Sequence, residues 1–449
     1  MIGLIMTVPI RGPAAGSKIT AAELGDLLGH WSAQDGPLYR LLATRIARLA
    51  DNGQLPSGLR LPPERDLAAA LSVSRNTAAA AYQLLRDEGL AWTRQGAGTL
   101  IAPHRTTPAA VHRANGFFAG LLGEAVVDVD LSLAIAECAP PVAAALDDPG
   151  SVLDLAGRRA VIRSSGYHPL GWPPLRAAIA DLLSTTRQLP TQPEQVLVTT
   201  GAQQALDLLM RNQVLAGQPV VVEDPTFPGA LDALQRAGGR PIGVPAHDGV
   251  DPGRLGQIIR THRPALVYLI PTHHNPTGRV MPADHRQHIA GLAAAHPDTV
   301  FVDDLVMADL TLDGDRRLVP ALGAPCPRQP NLVTIGSLSK TYWGGLRTGW
   351  IRASTDLISR LGAAKAAADL SSAAYPQAIA AALLTSQHES IIRWRTGQLR
   401  DRRDVLEDAL RAALPDWSWT TPAGGLSLWV RLPGQADAGA YAQAALRHG

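Results

Sequence analysis

Two patterns of hydrophobic and polar positions divide this chain. In the first hundred residues apolar side chains recur every three or four positions, as in PLYRLLATRIARLA from Pro37 to Ala50, which predicts an amphipathic helix. A second helix is predicted at PPERDLAAAL, where two prolines suit a helix start, and a third runs from the break at 72–74 to Gly89. Short strand-like runs on both sides of 96–98 predict a β-hairpin.

The order helix, helix, turn, helix, hairpin is typical of a winged helix-turn-helix. In that motif the last helix enters a major groove of DNA and the hairpin contacts the backbone or the minor groove. The segment from Arg40 to Ala102 contains eight arginines and five acidic residues. Three of the arginines, Arg65, Arg75 and Arg94, fall where phosphate contacts are needed. The alternative, which composition alone favours, is ordinary solvated charge on a small helical domain.

The order of residues favours DNA binding over that alternative. The stretch GLRLPPERDLAAALSVSRNTAAAAYQLLRDEGL and the wing RQGAGT resemble the DNA-binding domain of the GntR family along its whole length. By position, the resemblance implies contacts to phosphates or base edges from Arg65, Ser74, Arg75, Asn76 and Thr77, and a wing formed by Arg94, Gln95, Gly96 and Gly98. Upstream, one apolar face of a short helix is expected to pack against this domain; it comprises Leu24, Leu27, Leu28 and Trp31.

From about Val127 onward, apolar strand-like runs alternate with helical segments. The runs include QVLVTT, PVVVED, PALVYLIP, TVFVDD and NLVTIGS. Such alternation predicts an α/β domain with a mainly parallel sheet, whose ligands gather at the carboxyl ends of the strands. We therefore expect an arm with a short helix over 1–35, a winged helix-turn-helix over 36–103, an aperiodic linker over 104–126 and an α/β domain over 127–449.

Polar residues follow four of these runs. Thr200-Gly201-Ala202-Gln203 opens a helix, so its backbone N–H groups suit a phosphate. Phe227 is placed either to cover a planar ring or simply to pack in its loop. The histidine pair in 273–278 suggests a metal, but no further ligand stands at suitable spacing, so no metal is expected. Asp303 and Asp304 end the fourth run, where buried carboxylates are costly without a cationic group nearby.

Lys340 is one of three lysines among 41 basic residues, the others being Lys18 and Lys365. It lies in the small-residue turn SLSK, followed by glycines, which fits a buried pocket better than a solvated charge. A buried lysine tends to have a lowered pKa and can form a Schiff base with an aldehyde. Together with the polar strand ends, Lys340 predicts a pocket for pyridoxal 5′-phosphate.

Each group has an expected task in that pocket. Lys340 would hold the aldehyde, one of the two aspartates would keep the pyridine nitrogen protonated, and Asn275 would meet the ring oxygen. The phosphate would be held by two hydroxyls, one guanidinium and a helix start, namely Ser337, Ser339, Arg347 and the segment 200–203.

The later motifs occur in the order of a known enzyme fold. GYHPLGWPPLR, VTTGAQQALDLL, VEDPTFPG, PTHHNPTG, SLSKTYWGGLRTGW and PAGGLSLWVRL resemble those of fold-type I aminotransferases. With the GntR-type winged helix in front, the chain resembles the MocR subfamily of bacterial transcription regulators over nearly its full length. The resemblance implies a homodimer that binds promoter DNA and senses pyridoxal phosphate or an amine or amino-acid adduct of it. The alternative is an active aminotransferase with an appended DNA-binding domain.

Three departures from the aminotransferase pattern bear on that alternative. When VDDLVMADL is aligned with the family pattern, Asp304 takes the position of the acid that binds the pyridine nitrogen, and Met307 takes a position where the family usually has tyrosine. Asp303 is the alternative partner of the pyridine nitrogen, because one added residue in the turn would shift the alignment. Phe227 replaces the commoner tyrosine. The family continues through a further strand to an arginine that binds the substrate carboxylate, whereas this sequence stops at AQAALRHG. The stop is either genuine or the result of a shortened sequence; if it is genuine, we expect weakened transamination and retained cofactor sensing.

Bulk properties exclude some other classes. The net charge of +2 indicates no membrane or nucleic-acid partner by itself, so any basic surface is local. Cys138 and Cys326 are too few for a disulfide framework, which favours a reducing cytosol. No apolar run approaches the roughly 20 residues of a membrane helix, and we expect a cytoplasmic protein.

Overall fold

The computed structural model divides the chain into an amino-terminal unit, within residues 8–113, and a carboxy-terminal unit, within residues 114–449. The residues that the structure describes are 18–28, 31, 37–51, 54–56, 58–94, 98–102, 129, 131, 133–314, 319–435, 438, 441–442 and 445. The predicted linker over 104–126 lies outside them. No helix in these ranges is long and apolar enough to cross a membrane.

The amino-terminal unit consists of short helices followed by a hairpin. Its described elements are α1 (Ala21–Leu28), α2 (Leu38–Asp51), α3 (Glu64–Ala70), α4 (Arg75–Asp87), β1 (Ala91–Arg94) and β2 (Gly98–Ile101). Strands β1 and β2 pair antiparallel. Leu24 and Leu28 of α1 are buried in one apolar core with Leu42, Ile46 and Leu85, so the upstream helix packs into the same core as the winged-helix elements.

One polar contact caps α4, and a second ties α4 to the residues just before α3. Ser74 ends the turn between them, and its Oγ accepts a hydrogen bond of 3.1 Å from the backbone N–H of Thr77, which caps α4. The buried Tyr82 hydroxyl donates to the carbonyl of Pro62, 2.8 Å away, just before α3 begins. Burial raises the pKa of Tyr82, so the hydroxyl remains a donor.

The carboxy-terminal unit alternates strands and helices. Its helices are α5 (Pro140–Asp147), α6 (Leu155–Arg163), α7 (Pro173–Thr186), α8 (Ala202–Gln213), α9 (Pro228–Arg236), α10 (Pro252–His262), α11 (Ala283–Ala295), α12 (Thr355–Asp369), α13 (Ala374–Ser386) and α14 (His388–Ala413). Its strands are β3 (Val196–Thr199), β4 (Pro219–Asp224), β5 (Arg240–Pro245), β6 (Leu266–Leu269), β7 (Val300–Asp304), β8 (Leu332–Ser337), β9 (Gly349–Arg352), β10 (Ser418–Trp419) and β11 (Val430–Arg431).

Seven of these strands form one sheet in the order β3-β9-β8-β7-β6-β4-β5. Strand β9 runs in the opposite direction to the other six strands of this sheet. The predicted α/β class with a mainly parallel sheet is therefore confirmed. Strands β5 and β9 were not among the predicted runs. Because β9 is reversed, its first residue, Gly349, pairs with the last residues of β3 and β8, Thr199 and Ser337.

The sheet is covered on both faces, as a parallel sheet requires. Alternate residues of β4 face opposite apolar layers: Val221 packs with Val267 and Phe301, whereas Val222 packs with Tyr268. The polar residues that follow the strands therefore collect along one edge of the sheet, where the backbone leaves the core.

Candidate functional site

Lys340 lies three residues beyond the end of β8, at the carboxyl edge of the sheet. Its ammonium group donates a hydrogen bond of 2.6 Å to the carbonyl of Ala134. Burial lowers the pKa of Lys340 to about 8, against the opposing attraction of the Asp304 carboxylate. About a tenth of the amine is therefore in the neutral, nucleophilic form at pH 7, far more than for a lysine in water.

Asp304, the last residue of β7, is buried on the side of the sheet that Lys340 occupies. One carboxylate oxygen accepts a hydrogen bond of 2.6 Å from the Tyr268 hydroxyl, and the other accepts one of 2.9 Å from the Val306 backbone N–H. Burial raises the pKa of Asp304 to about 6, and Lys340 and the two hydrogen bonds lower it. The two hydrogen bonds thus hold the carboxylate in place, and its pKa lies close to neutral pH.

Asp303 precedes Asp304 in the strand and so projects to the opposite face. One of its oxygens accepts from the Leu322 backbone N–H at 2.7 Å, and its charge is attracted by the Arg286 guanidinium. Burial raises its pKa to about 6 as well. Of the two carboxylates, the geometry favours Asp304 as the partner of a group held at Lys340. Met307 lies in a small apolar cluster.

Asn275 follows β6 at the same edge. Its Oδ1 is buried and has no hydrogen-bond partner among the described residues, although a buried polar atom normally has one. Each preceding histidine has one ring nitrogen next to a hydroxyl: His273 Nε2 lies 2.9 Å from the Thr311 hydroxyl and His274 Nδ1 lies 2.9 Å from the Thr277 hydroxyl. No group of three potential metal ligands occurs in the described ranges.

The start of α8 forms a cradle for an anion. Gly201, at a positive φ of 121°, precedes the helix, and no side chain caps the first turn, which contains Ala202 and Gln203. A Cβ atom built on Gly201 would lie 3.4 Å from Nη2 of Arg347, so the guanidinium lies beside the helix start. Unpaired N–H groups, the helix dipole and this cation together attract a phosphate.

Two further hydroxyls lie at the end of β8. Ser337 Oγ lies 2.9 Å from Ser339 Oγ and accepts a hydrogen bond of 3.1 Å from the Ser339 backbone N–H. A Cβ built on Gly349, the first residue of β9, would come within 2.7 Å of the Gly201 backbone. The start of β9 and the residue before α8 therefore lie too close together for a side chain at position 349.

Gln203 and Phe227 meet around Gly229, in the first turn of α9. The Gln203 amide nitrogen donates to the Gly229 carbonyl at 2.8 Å, while its Oε1 is buried with no hydrogen-bond partner in the described part of the chain. A Cβ on Gly229 would lie 2.5 Å from the Phe227 ring. The aromatic ring is thus held next to the first turn of α8.

Sequence reasoning missed a fully buried arginine that supports Lys340. Arg395 of α14 donates to the carbonyls of Thr341 and Tyr342, at 3.2 and 3.4 Å, and to the carbonyl of Glu137. It ties the backbone after Lys340 to the segment that accepts the Lys340 hydrogen bond. The buried face of α14 also carries Arg403 and Glu407, so a single arginine in that helix gave no distinct sequence signal.

The other two lysines lie in different surroundings. Lys365 of α12 is 1% exposed and forms an ion pair of 2.9 Å with Asp369. Asp369 in turn accepts from Gln204, whose Oε1 accepts from the Thr200 backbone N–H, both at 2.8 Å. This chain of contacts supports the cradle from behind. Lys18, in the amino-terminal unit, is exposed.

In the amino-terminal unit the predicted DNA contacts form an exposed surface at the start of α4. The side chains of Ser74, Arg75 and Asn76 are exposed, as is Arg65 of α3, and Thr77 is half-buried. Gly98 begins β2 at a positive φ of 80°, which its lack of a Cβ allows. In the wing, Gln95 and Gly96 lie outside the described residues, as does the side chain of Arg94.

Comparison with known proteins agrees with both units. Residues 159–448 match the family described as aminotransferase class I and II, and residues 38–101 match the gntR family of bacterial regulatory proteins. The chain therefore belongs to the class I and II aminotransferase family and carries a GntR-type DNA-binding domain.

Full-length relatives define the group more closely. The pyridoxine biosynthesis transcriptional regulator PdxR of Corynebacterium glutamicum is 30% identical, over 86% of this chain and 81% of its own. The probable rhizopine catabolism regulatory protein MocR of Rhizobium meliloti is 30% identical, over 71% and 65%. The chain is a member of the MocR subfamily of GntR-type regulators, as its motif order predicted.

Among solved structures, the α-aminoadipate aminotransferase LysN of Thermus thermophilus, complexed with N-(5′-phosphopyridoxyl)-L-leucine, is 28% identical. It aligns with a TM-score of 0.62 over 76% of this chain and 84% of its own. The cofactor of the carboxy-terminal unit is pyridoxal phosphate, as predicted. The residues present fit it, because the unpartnered Asn275 amide oxygen and the uncapped start of α8 are polar groups that lack a partner within the described protein.

Proposed function

We propose that this regulator senses pyridoxal phosphate held at Lys340, or an amine or amino-acid adduct of it, and that the occupied pocket changes its affinity for promoter DNA. The observation that carries the proposal is the partly buried Lys340, with a pKa of about 8, facing Asp304 in a chain that also carries an exposed DNA-binding helix start. Sensing requires that the effector interact differently with two states of the protein.

In this proposal the residues at the sheet edge divide the tasks of holding the cofactor. Bound pyridoxal phosphate supplies an aldehyde that takes up primary amines. Lys340 provides the amine that holds it, and Asp304 keeps a proton on the ring nitrogen, steadied by the Tyr268 hydroxyl. Asn275 hydrogen-bonds the ring oxygen, and Phe227 covers a ring face.

The phosphate is assigned to the anion cradle. Backbone groups of Gly201, Ala202 and Gln203 bind it at the positive end of α8, with the Arg347 guanidinium beside them. The hydroxyls of Ser337 and Ser339, which already contact each other, complete the set.

On the DNA side, the exposed start of α4 supplies the reading surface. Arg65 and Arg75 are assigned to phosphates, and Ser74, Asn76 and Thr77 lie where a recognition helix meets base edges and backbone. The wing residues Arg94, Gln95, Gly96 and Gly98 are assigned to the neighbouring groove by resemblance alone.

The working assembly in this proposal is a cytoplasmic homodimer. Ile162 at the end of α6 and Tyr167 just after it are 74% and 64% exposed, which is unusual for large apolar side chains so close together. A second copy of the chain would cover them, and a two-fold dimer would present two winged helices to a pair of half-sites.

The decisive experiment measures the affinity of the full chain for its own upstream DNA with and without pyridoxal phosphate. We expect a change of about fivefold or more in the dissociation constant, within the usual range of allosteric coupling. Lys340→Arg keeps the positive charge but removes the amine nucleophile, so its DNA affinity should be unaffected by the cofactor. An equal response in both proteins would contradict the proposal.

Transamination is the second candidate, favoured by the presence of Lys340, Asp304 and Asn275 at one edge. A panel of amino acids added to the cofactor-loaded protein would show, by absorbance, whether the aldehyde form of the cofactor is converted to the amine form. Conversion within seconds to minutes would identify an enzyme. An unchanged spectrum together with a DNA response leaves the regulatory role alone.

A further inference from the structure

A cavity separate from the lysine pocket lies at the carboxyl ends of β4, β5 and β6. Its volume is about 210 Å³, room for roughly seven water molecules at about 30 Å³ each. Most of its wall is apolar, including Ala246, Val250, Val280 and Met281. A cavity of this size accepts a small organic molecule rather than a cofactor.

Two buried polar side chains line this cavity, and neither is fully satisfied. Glu223 and His274 are each 4% exposed. One Glu223 oxygen accepts from the Ile270 backbone N–H at 2.7 Å, while the other meets no donor in the described part of the chain. A buried carboxylate in an apolar wall is costly unless a cation or several donors reach it.

His274 adds a donor. The Thr277 backbone N–H donates to His274 Nδ1 at 3.3 Å, which leaves Nε2 as the donor nitrogen of the ring. That Nε2 is buried and has no hydrogen-bond partner among the described residues. It lies 3.3 Å from Glu223 Oε2, too far out of line for a hydrogen bond. The cavity therefore offers a carboxylate and an N–H side by side.

The other two charged side chains that line the cavity pair with each other. Arg279 donates to Asp248 at 2.9 Å and to the His247 carbonyl at 2.8 Å. In the described part of the chain, His274, whose Nε2 lies 3.3 Å away, is therefore the one basic side chain within ion-pair distance of Glu223. A ligand that fits needs an ammonium group for Glu223 and, within two or three bonds, an oxygen that accepts from His274.

We propose that this cavity binds a small amino alcohol or amino amide, with its ammonium group on Glu223 and its oxygen on the His274 Nε2–H. The site lies beside the proposed cofactor pocket: the Glu223 charge raises the pKa of Asp304, and the loop after β6 that supplies His274 also supplies Asn275. A molecule bound there therefore contacts the same loop as the proposed partner of the cofactor ring.

Ligand-observed saturation-transfer NMR on the full chain tests the site, with ethanolamine and glycinamide as probes. Propylamine lacks the oxygen and 1-propanol lacks the amine, so both should bind at least tenfold more weakly. The Lys340→Ala protein, freed of pyridoxal phosphate, is used in parallel, because no cofactor aldehyde is then present to take up an amine. Equal saturation transfer for ethanolamine and propylamine would overturn the proposal. Loss of ethanolamine binding in Lys340→Ala would overturn it as well, because the amine would then bind at the lysine pocket. Either result would leave the proposed regulation of DNA binding intact.

Two variants address the cavity itself. Glu223→Gln keeps an acceptor for the Ile270 N–H but removes the charge, and Val280→Phe fills the space from the apolar wall. Each should weaken ethanolamine binding at least tenfold, with thermal unfolding showing that the fold is kept. If one variant does not fold, the other decides. Undiminished binding in a folded variant, or no binding of either probe to the unmodified chain, refutes the assignment.

Discussion

At the scale of single residues, the site depends on two groups whose charges burial disfavours. Burial lowers the pKa of Lys340 and raises that of Asp304, while their mutual attraction acts against both shifts. Each side chain therefore titrates much closer to neutrality than in water, which suits a pocket that takes up and releases amines.

The first prediction concerns the pH dependence of cofactor capture. Because the Lys340 pKa is about 8, the neutral fraction of its amine rises from about 0.1 at pH 7 to about 0.9 at pH 9. The rate at which cofactor-free protein captures pyridoxal phosphate, followed by absorbance, should rise about tenfold over that interval and then level off. A rate that still climbs beyond pH 10 would show an ordinary lysine.

The second prediction separates the two aspartates. Asp304→Asn removes the charge facing Lys340, so cofactor affinity should fall by roughly tenfold or more. The midpoint of the pH profile of cofactor capture should also move to lower pH, because the Asp304 charge raises the Lys340 pKa. Asp303→Asn is the matched control. It keeps an acceptor for the Leu322 N–H and should leave cofactor affinity within about twofold, as measured by titration.

At the scale of elements, hydrophobic patterning predicted five strands of the main sheet but not β5 or β9. Strand β5, RPIGVP, is a partly exposed edge strand with two prolines and a glycine, which weaken a strand pattern. Strand β9 has four residues and directly follows the motif with Lys340. Strand order depends on long-range pairing, which periodicity does not encode.

Part of the site was equally hidden in the sequence. The strand ends marked Asp304, Asn275 and the start of α8, because polar residues interrupt apolar runs there. Tyr268, in contrast, sits within such a run, and only the structure shows its hydroxyl on Asp304. Arg395 lies 55 residues beyond Lys340 in the chain, so no local pattern connects the two.

The third prediction concerns the cap of α4. Ser74→Ala removes the acceptor for the Thr77 N–H and should cost about 1 kcal/mol, seen as faster hydrogen exchange in the first turn. Ser74→Asp restores an acceptor but places a negative charge where a DNA phosphate is expected. It should keep the exchange protection and lose operator affinity; full affinity in Ser74→Asp would remove this turn from the proposed DNA surface.

At the scale of the whole molecule, each unit has its own apolar core. The amino-terminal core is drawn from residues 19–101, and the other buried clusters from residues 134–426. A domain with its own core can unfold by itself. The cofactor and the DNA should accordingly stabilise different parts of the chain.

The fourth prediction follows from that separation. Calorimetry of the full chain should show two transitions, one raised by pyridoxal phosphate and the other by operator DNA. At a hundredfold excess of cofactor over its dissociation constant, linkage stabilises the carboxy-terminal unit by about 2.7 kcal/mol. One joint transition, moved as a whole by the cofactor, would indicate a single folding unit instead.

The scarcity of lysine has a practical consequence. Lys365 is buried against Asp369, whereas Lys18 lies exposed in the amino-terminal unit. If the cofactor is held at Lys340 as proposed, an amine-reactive fluorophore added to the cofactor-loaded protein would find Lys18 as its accessible lysine, beside the α-amino group of the chain. Dye on Lys18 would mark the amino-terminal unit, and its fluorescence anisotropy would follow promoter capture in real time.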